Sequence, residues 1–116
     1  MRKPIWQQLV EAQQGWLGGD IEDLGDSMDR QLAEEGTFPI QGKIAGMEYR
    51  KNGENSMYFE VSAEEGWGCG GDTQFLGIAG GEKGWLTLSG YGGHTWRIKK
   101  PEQTKTNPQT PGGEGE

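Results

Sequence analysis

Glycine constrains this chain more than any other residue: 22 of 116 positions are Gly, and fifteen of those fall between Gly36 and Gly93. Gly loses the most backbone freedom on folding and has no side chain to pack, so at this density it weakens long helices and strands. There is no triplet period and only five Pro, which excludes a collagen-type helix. The glycines are therefore expected to mark tight turns between short elements.

The material for a core is scarce. Leu, Ile, Val and Phe total 18 residues, below the fraction that ordinary globular chains exceed, and the net charge is −7, which together approach the composition of disordered chains. Five Trp and three Tyr offset this, each able to remove about 150–250 Å² from water. The expectation is one domain over residues 1–100, with a thin core that depends on aromatic residues. Residues 101–116 hold no large apolar side chain and three Pro, so they are expected to form a disordered tail.

Residues 4–17 carry helical spacing: Ile5, Leu9, Ala12 and Trp16 recur every three or four positions behind Pro4, which suits a first helical turn. Gly18-Gly19 stops that helix. Asp20, with Asp23 three residues on, reads as the N-cap of a second helix whose stripe is Ile21, Leu24, Met28 and Leu32, ended by Gly36. After Gly36 the period changes. Ile40–Arg50, Met57–Ser62, Thr73–Ala79, Trp85–Ser89 and Thr95–Lys99 are short, rich in aromatic or branched residues, and separated by Gly-rich turns. The predicted fold is α+β: an N-terminal helical hairpin (1–36) packed on a four- to five-stranded antiparallel meander (37–100). Trp6, Trp16, Trp85 and Trp96 are the core candidates, and Trp67 is expected to be partly exposed.

The acidity is segregated. Residues 1–36 carry three basic and eight acidic side chains, residues 37–100 carry seven of each, and residues 101–116 carry one and three. On a helix, Glu22, Asp26 and Asp29 would share the face opposite the apolar stripe, with Asp23 beside them. A row of carboxylates of this kind docks on basic surfaces that otherwise hold nucleic-acid phosphates, or is simply a solvated outer face with Asp26 paired to Arg30.

Other constellations carry less. Gly66-Trp67-Gly68-Cys69-Gly70-Gly71 contains G-x-G-x-x-G, but a strand rather than a helix is predicted after it, so the dinucleotide reading fails. What remains is a glycine-rich loop presenting Trp67, a residue type suited to anchoring an interface. Cys69 and His94 are the only strong nucleophile and the only neutral-pH base. With no orienting third group in sight they are expected to be unrelated, and one Cys with one His falls short of the three or four ligands zinc requires. Asp20–Asp29 does not have calcium-loop spacing. Arg97, Lys99 and Lys100 follow aromatic residues, yet a chain at −7 is not expected to bind nucleic acid directly. A single Cys, no signal-like apolar run and no membrane-length segment point to a cytoplasmic protein without disulfides.

The expected class is a non-enzymatic acidic protein, without cofactor or metal, that binds and blocks another macromolecule. Inhibitors that phages and mobile elements direct at host nuclease or defence complexes have this character, through nucleic-acid mimicry, and so do immunity proteins against basic nucleases. The partner expected is a protein with a basic surface, such as a nucleic-acid-binding complex, and the contact residues expected are Glu22, Asp23, Asp26, Asp29 and Trp67. The alternative is a small-ligand or nucleotide-sequestering domain that uses amides of the Gly-rich loops as anion nests. An enzyme built on Cys69 and His94 ranks behind both.

Overall fold

Two antiparallel meanders meet edge to edge, so that the first strand and the last strand of the chain lie side by side. The computed structural model describes residues 2–102, and the expectation for residues 103–116 lies outside the described residues. The elements are α1 (Ile5–Glu11), a 3-10 turn (Gln13–Gly15), β1 (Asp20–Gly25), α2 (Ser27–Leu32), β2 (Ile40–Lys51), β3 (Met57–Ala63), β4 (Gly68–Asp72), β5 (Gly77–Gly80), β6 (Trp85–Ser89) and β7 (Thr95–Lys99). All pairings are antiparallel, and the sheet order is β4-β3-β2-β1-β7-β6-β5. The fold mixes helix and sheet as expected. The sheet, however, has seven strands rather than four or five.

The helical hairpin does not form, and the reason is local. Asp20–Gly25 is bracketed by Gly18-Gly19 and by Gly25, which has φ +67. A positive φ at Gly25 cannot continue a right-handed helix, so the helix expected from Asp20 is interrupted there. Ile21 instead lies fully buried in a strand paired on both edges, with Gly42 opposite on β2 and Ile98 opposite on β7. The N-cap is used six residues later than expected: Asp26 accepts the amide of Asp29 at 2.7 Å, and the Asp29 carboxylate accepts the amide of Asp26 at 3.2 Å. This reciprocal cap starts a six-residue helix.

β4 is the other departure. Gly68–Asp72 was expected to be a loop and is an edge strand, while Thr73–Leu76 is a turn and β5 begins only at Gly77. β4 lies so close to β3 that a Cβ at Gly70 would meet the Phe59 carbonyl and the Glu60 backbone, and one at Gly68 would meet the Val61 carbonyl. Glycine serves here for close approach.

β2 bends the sheet. Its first residues pair with β1 and the rest with β3, with a register irregularity between Ile44 and Gly46. Gln13 reaches across to this bend and accepts the Met47 amide at 3.1 Å. On a flat sheet β3 and β7 would stand about 14 Å apart. Here Phe59 of β3 stacks on Trp96 of β7 with ring centroids 6.3 Å apart, so the sheet curls. α1 covers the concave face: Trp6 and Leu9 are buried there, and Trp6 lies 5.2 Å from Phe59. Ile21, Ile44, Phe59, Val61, Leu88, Trp96 and Ile98 complete the core. Trp16 is buried as expected, whereas Trp85 stands half-buried on the convex face.

Candidate functional site

Because Asp20–Gly25 is extended, its side chains alternate between the two faces, and the row of carboxylates expected on one helix is dispersed. Glu22 points to the convex face and is only 7% exposed. Its carboxylate accepts from Arg97 Nη2 at 2.6 Å and Nε at 2.8 Å, and from Gln41 Nε2 at 2.8 Å. The Arg97 guanidinium lies 4.1 Å over the Trp85 ring. The result is a cross-strand network over β2, β1, β7 and β6, extended by the Lys43–Asp20 ion pair at 2.7 Å. Asp23 turns to the concave side. Asp26 and Asp29 cap α2, and Arg30 does not pair with Asp26: its Nη1 donates to the carbonyls of Leu24 and Gly25 at 2.7 and 3.0 Å.

Trp67 sits in the β3–β4 turn, half-buried, with its ring edge against Gly42. Its carbonyl accepts the Ala63 amide at 2.7 Å. It lines a surface hollow of about 320 Å³ with Glu48, Glu60 and Ser62. The glycine-rich segment after it is committed to β-pairing with β3, so those residues form a strand rather than the expected nest-bearing loop.

The curl of the sheet brings together three residues that are far apart in the chain. Asp23 (β1), Cys69 (β4) and His94 (just before β7) place one ligand atom each within 4.8 Å of one another. His94 Nε2 lies 2.8 Å from Asp23 Oδ1, which also accepts the Gly25 amide at 2.9 Å. Cys69 and His94 were expected to be unrelated for want of a third group. Asp23 is that group. Its β1 register shifts against β7 between Asp23 and Gly25, a bulge of the kind that re-aims side chains.

The thiol is not poised as a nucleophile. Burial, then the nearby Asp23 carboxylate and its hydrogen bond, and finally the Glu60 charge push the Cys69 thiol up to about 12. A cysteine that attacks at neutral pH needs the opposite shift. No protein-family profile, curated protein or solved structure matches this chain. Among the described residues, no helix is long and apolar enough to cross a membrane.

A further surface escaped sequence reasoning. Met28 and Leu32, expected in the core stripe, are 61% and 78% exposed on α2. They stand one turn apart, on one side of the helix. No residue of α2 is buried, so the helix is held by its cap and by Arg30 rather than by burying its apolar side chains. Beside it, Phe38 lies against Gly25 and shares a groove of about 420 Å³ with Leu24, Arg30, Pro39 and Thr95. The capping pattern Asp-x-x-Asp at 26–29 was the available signal, but the same pattern at 20–23 competed with it.

Proposed function

We propose that this protein works by binding and blocking a partner protein with a basic surface, and that α2 is the element that docks. The observation that carries the reading is the exposed Met28–Leu32 pair on a helix anchored with its apolar side outward. Apolar side chains left unpartnered on an ordered element mark interaction sites, and a central apolar anchor ringed by charge is the usual anatomy of a tight interface.

Charge argues for the occupant. Residues 26–35 hold four carboxylates, from Asp26, Asp29, Glu34 and Glu35, against one guanidinium, from Arg30, on a chain of net charge −7. A partner that fits has an apolar pocket bordered by Lys and Arg, as on proteins that otherwise engage nucleic-acid phosphates. The protein would then be an acidic inhibitor or immunity protein that occupies such a surface. Trp67, half-buried beside Glu48 and Glu60, is a second contact in this reading, and both carboxylates there are paired with Arg50.

The test is affinity capture from lysate of the source organism at low and high salt, using the native chain and the Met28→Asn/Leu32→Asn variant. The native chain should retain one basic, nucleic-acid-binding protein in stoichiometric amount and lose it as salt rises. The variant should fail to retain it while unfolding within about 0.5 kcal/mol of the native chain, as exposed positions do. Equal capture by the variant would remove α2 from the interface, and capture of an acidic partner would refute the electrostatic part of the reading.

A further inference from the structure

We propose that Asp23, Cys69 and His94 form a zinc-binding site on the concave side of the sheet. They are the one cluster of three metal-ligating side chains among the described residues, with ligand atoms all within 4.8 Å. A tetrahedral zinc with ligands at about 2.0–2.3 Å holds its donor atoms roughly 3.3–3.7 Å apart. The side chains therefore need to move by about an ångström or less, and the Asp23–His94 contact has to open slightly to admit the ion.

The donor set selects the metal. Thiolate, imidazole and carboxylate together match zinc, whereas calcium and magnesium take oxygen ligands alone. The charges also match, because the Asp23 carboxylate and a Cys69 thiolate together neutralise a divalent cation, the thiol giving up its proton as the ion binds.

The site is assembled by the fold. Cys69 lies in β4, held on β3 opposite Val61, and Asp23 lies on β1 opposite Trp96. His94 ends the β6–β7 loop, where its carbonyl accepts the Gly90 amide at 2.8 Å. Leu76, buried, ties the two halves together by packing against both Gly71 of β4 and Gly90 of that loop, where an added Cβ would meet its methyl at 3.5 Å. The Gly25 amide donates to Asp23 Oδ1 at 2.9 Å and fixes its carboxylate. The Cys69 side is closed, and the His94 side chain is 39% exposed, so the fourth coordination position opens toward solvent on the histidine side. Three protein ligands and one open position is the arrangement of a zinc that takes water or an exogenous donor.

The experiment uses the full chain stripped with chelator and then titrated with Co²⁺ and with Zn²⁺. Cobalt should give one equivalent of intense tetrahedral visible bands together with a thiolate-to-metal charge-transfer band in the near ultraviolet. Zinc should displace cobalt, compete with a chromophoric chelator and raise the melting temperature. Cys69→Ser should abolish the charge-transfer band, and His94→Gln and Asp23→Asn should each weaken zinc at least about tenfold. His94 is partly exposed, so its substitution tests the site without endangering the core. Absence of chelator-competitive binding by the folded native chain, or a cobalt spectrum unchanged by both Cys69→Ser and His94→Gln, would overturn the proposal.

Discussion

Replacing Arg97 by Met should destabilise the protein by about 3 kcal/mol, since removing one partner of a buried ion pair costs roughly 3–5 kcal/mol. The substitution keeps the aliphatic stem but removes two contacts, at 2.6 and 2.8 Å, from a carboxylate whose side chain is only 10% exposed. At the effective dielectric of a protein surface, unit charges about 4 Å apart attract by about 4 kcal/mol. The guanidinium is 31% exposed, so solvent screens part of that. The lost contact with the Trp85 face adds about 1 kcal/mol. Glu22 would be left with Gln41 as its side-chain donor, on a carboxylate with little access to water. Glu22→Gln/Arg97→Met should recover about 2 kcal/mol of the loss, because two neutral groups replace an orphaned charge. Urea unfolding of the four proteins in the cycle, followed by tryptophan fluorescence and far-ultraviolet circular dichroism, measures both numbers. A cost below about 0.5 kcal/mol for Arg97→Met, the level of an ordinary surface change, would refute the view that this network holds the convex face together.

Two further predictions concern β4. The Cys69 thiol is raised from its ordinary 9.0 to about 12, so the folded protein keeps a proton that the unfolded chain has released, and the stabilisation is complete below 9.0 and lost as pH rises toward 12. In the presence of chelator, the native chain should therefore lose about 2 kcal/mol more stability than Cys69→Ala between about pH 9 and 11; parallel pH profiles would show that the thiol is not so placed. Gly70→Ala should cost about 1–3 kcal/mol, the penalty for forcing atoms into a filled space, because its methyl would meet the Phe59 carbonyl. Gly53→Ala, at a turn glycine with φ +83 and nothing within 4 Å, should cost about 1 kcal/mol, and a denaturation midpoint for it below that of Gly70→Ala would reverse the argument from close approach.

Much of the sheet was legible because turn residues bounded it. Trp85–Ser89 and Thr95–Lys99 are strands as read, and β2 and β3 each extend one residue past the expected end. β1 was not legible, since Ile21, Leu24, Met28 and Leu32 satisfy helical spacing and Asp-x-x-Asp occurs twice. Burial of Ile21 between two partner strands, a tertiary effect, decided between the readings. β4 was hidden for a different cause: glycine is a poor strand former on average, and only the nearness of β3 makes it the residue required at Gly70. The trio of Asp23, Cys69 and His94 is visible in the sequence only in pieces. Cys69 and His94 stood out as reagents and Asp23 as a charge, but their meeting depends on the order β4-β3-β2-β1-β7 and on the curl, neither of which leaves a local mark. Met28 and Leu32 were misplaced by the same helical stripe that concealed β1.

The pairing of β1 with β7 has a consequence for how the protein is made. Glu22 and Arg97 are 75 residues apart, so one edge of the strand at the middle of the sheet stays open while the rest of the described chain is synthesised. Until Thr95–Lys99 leaves the ribosome, α1 and β1 through β6 can assemble only as two disconnected meanders, with Ile21 facing half a core. Closing so long a loop comes late and slowly for a sheet held by non-local contacts. A nascent chain halted before residue 95 should be protease-sensitive, and one halted with residue 100 clear of the tunnel should resist.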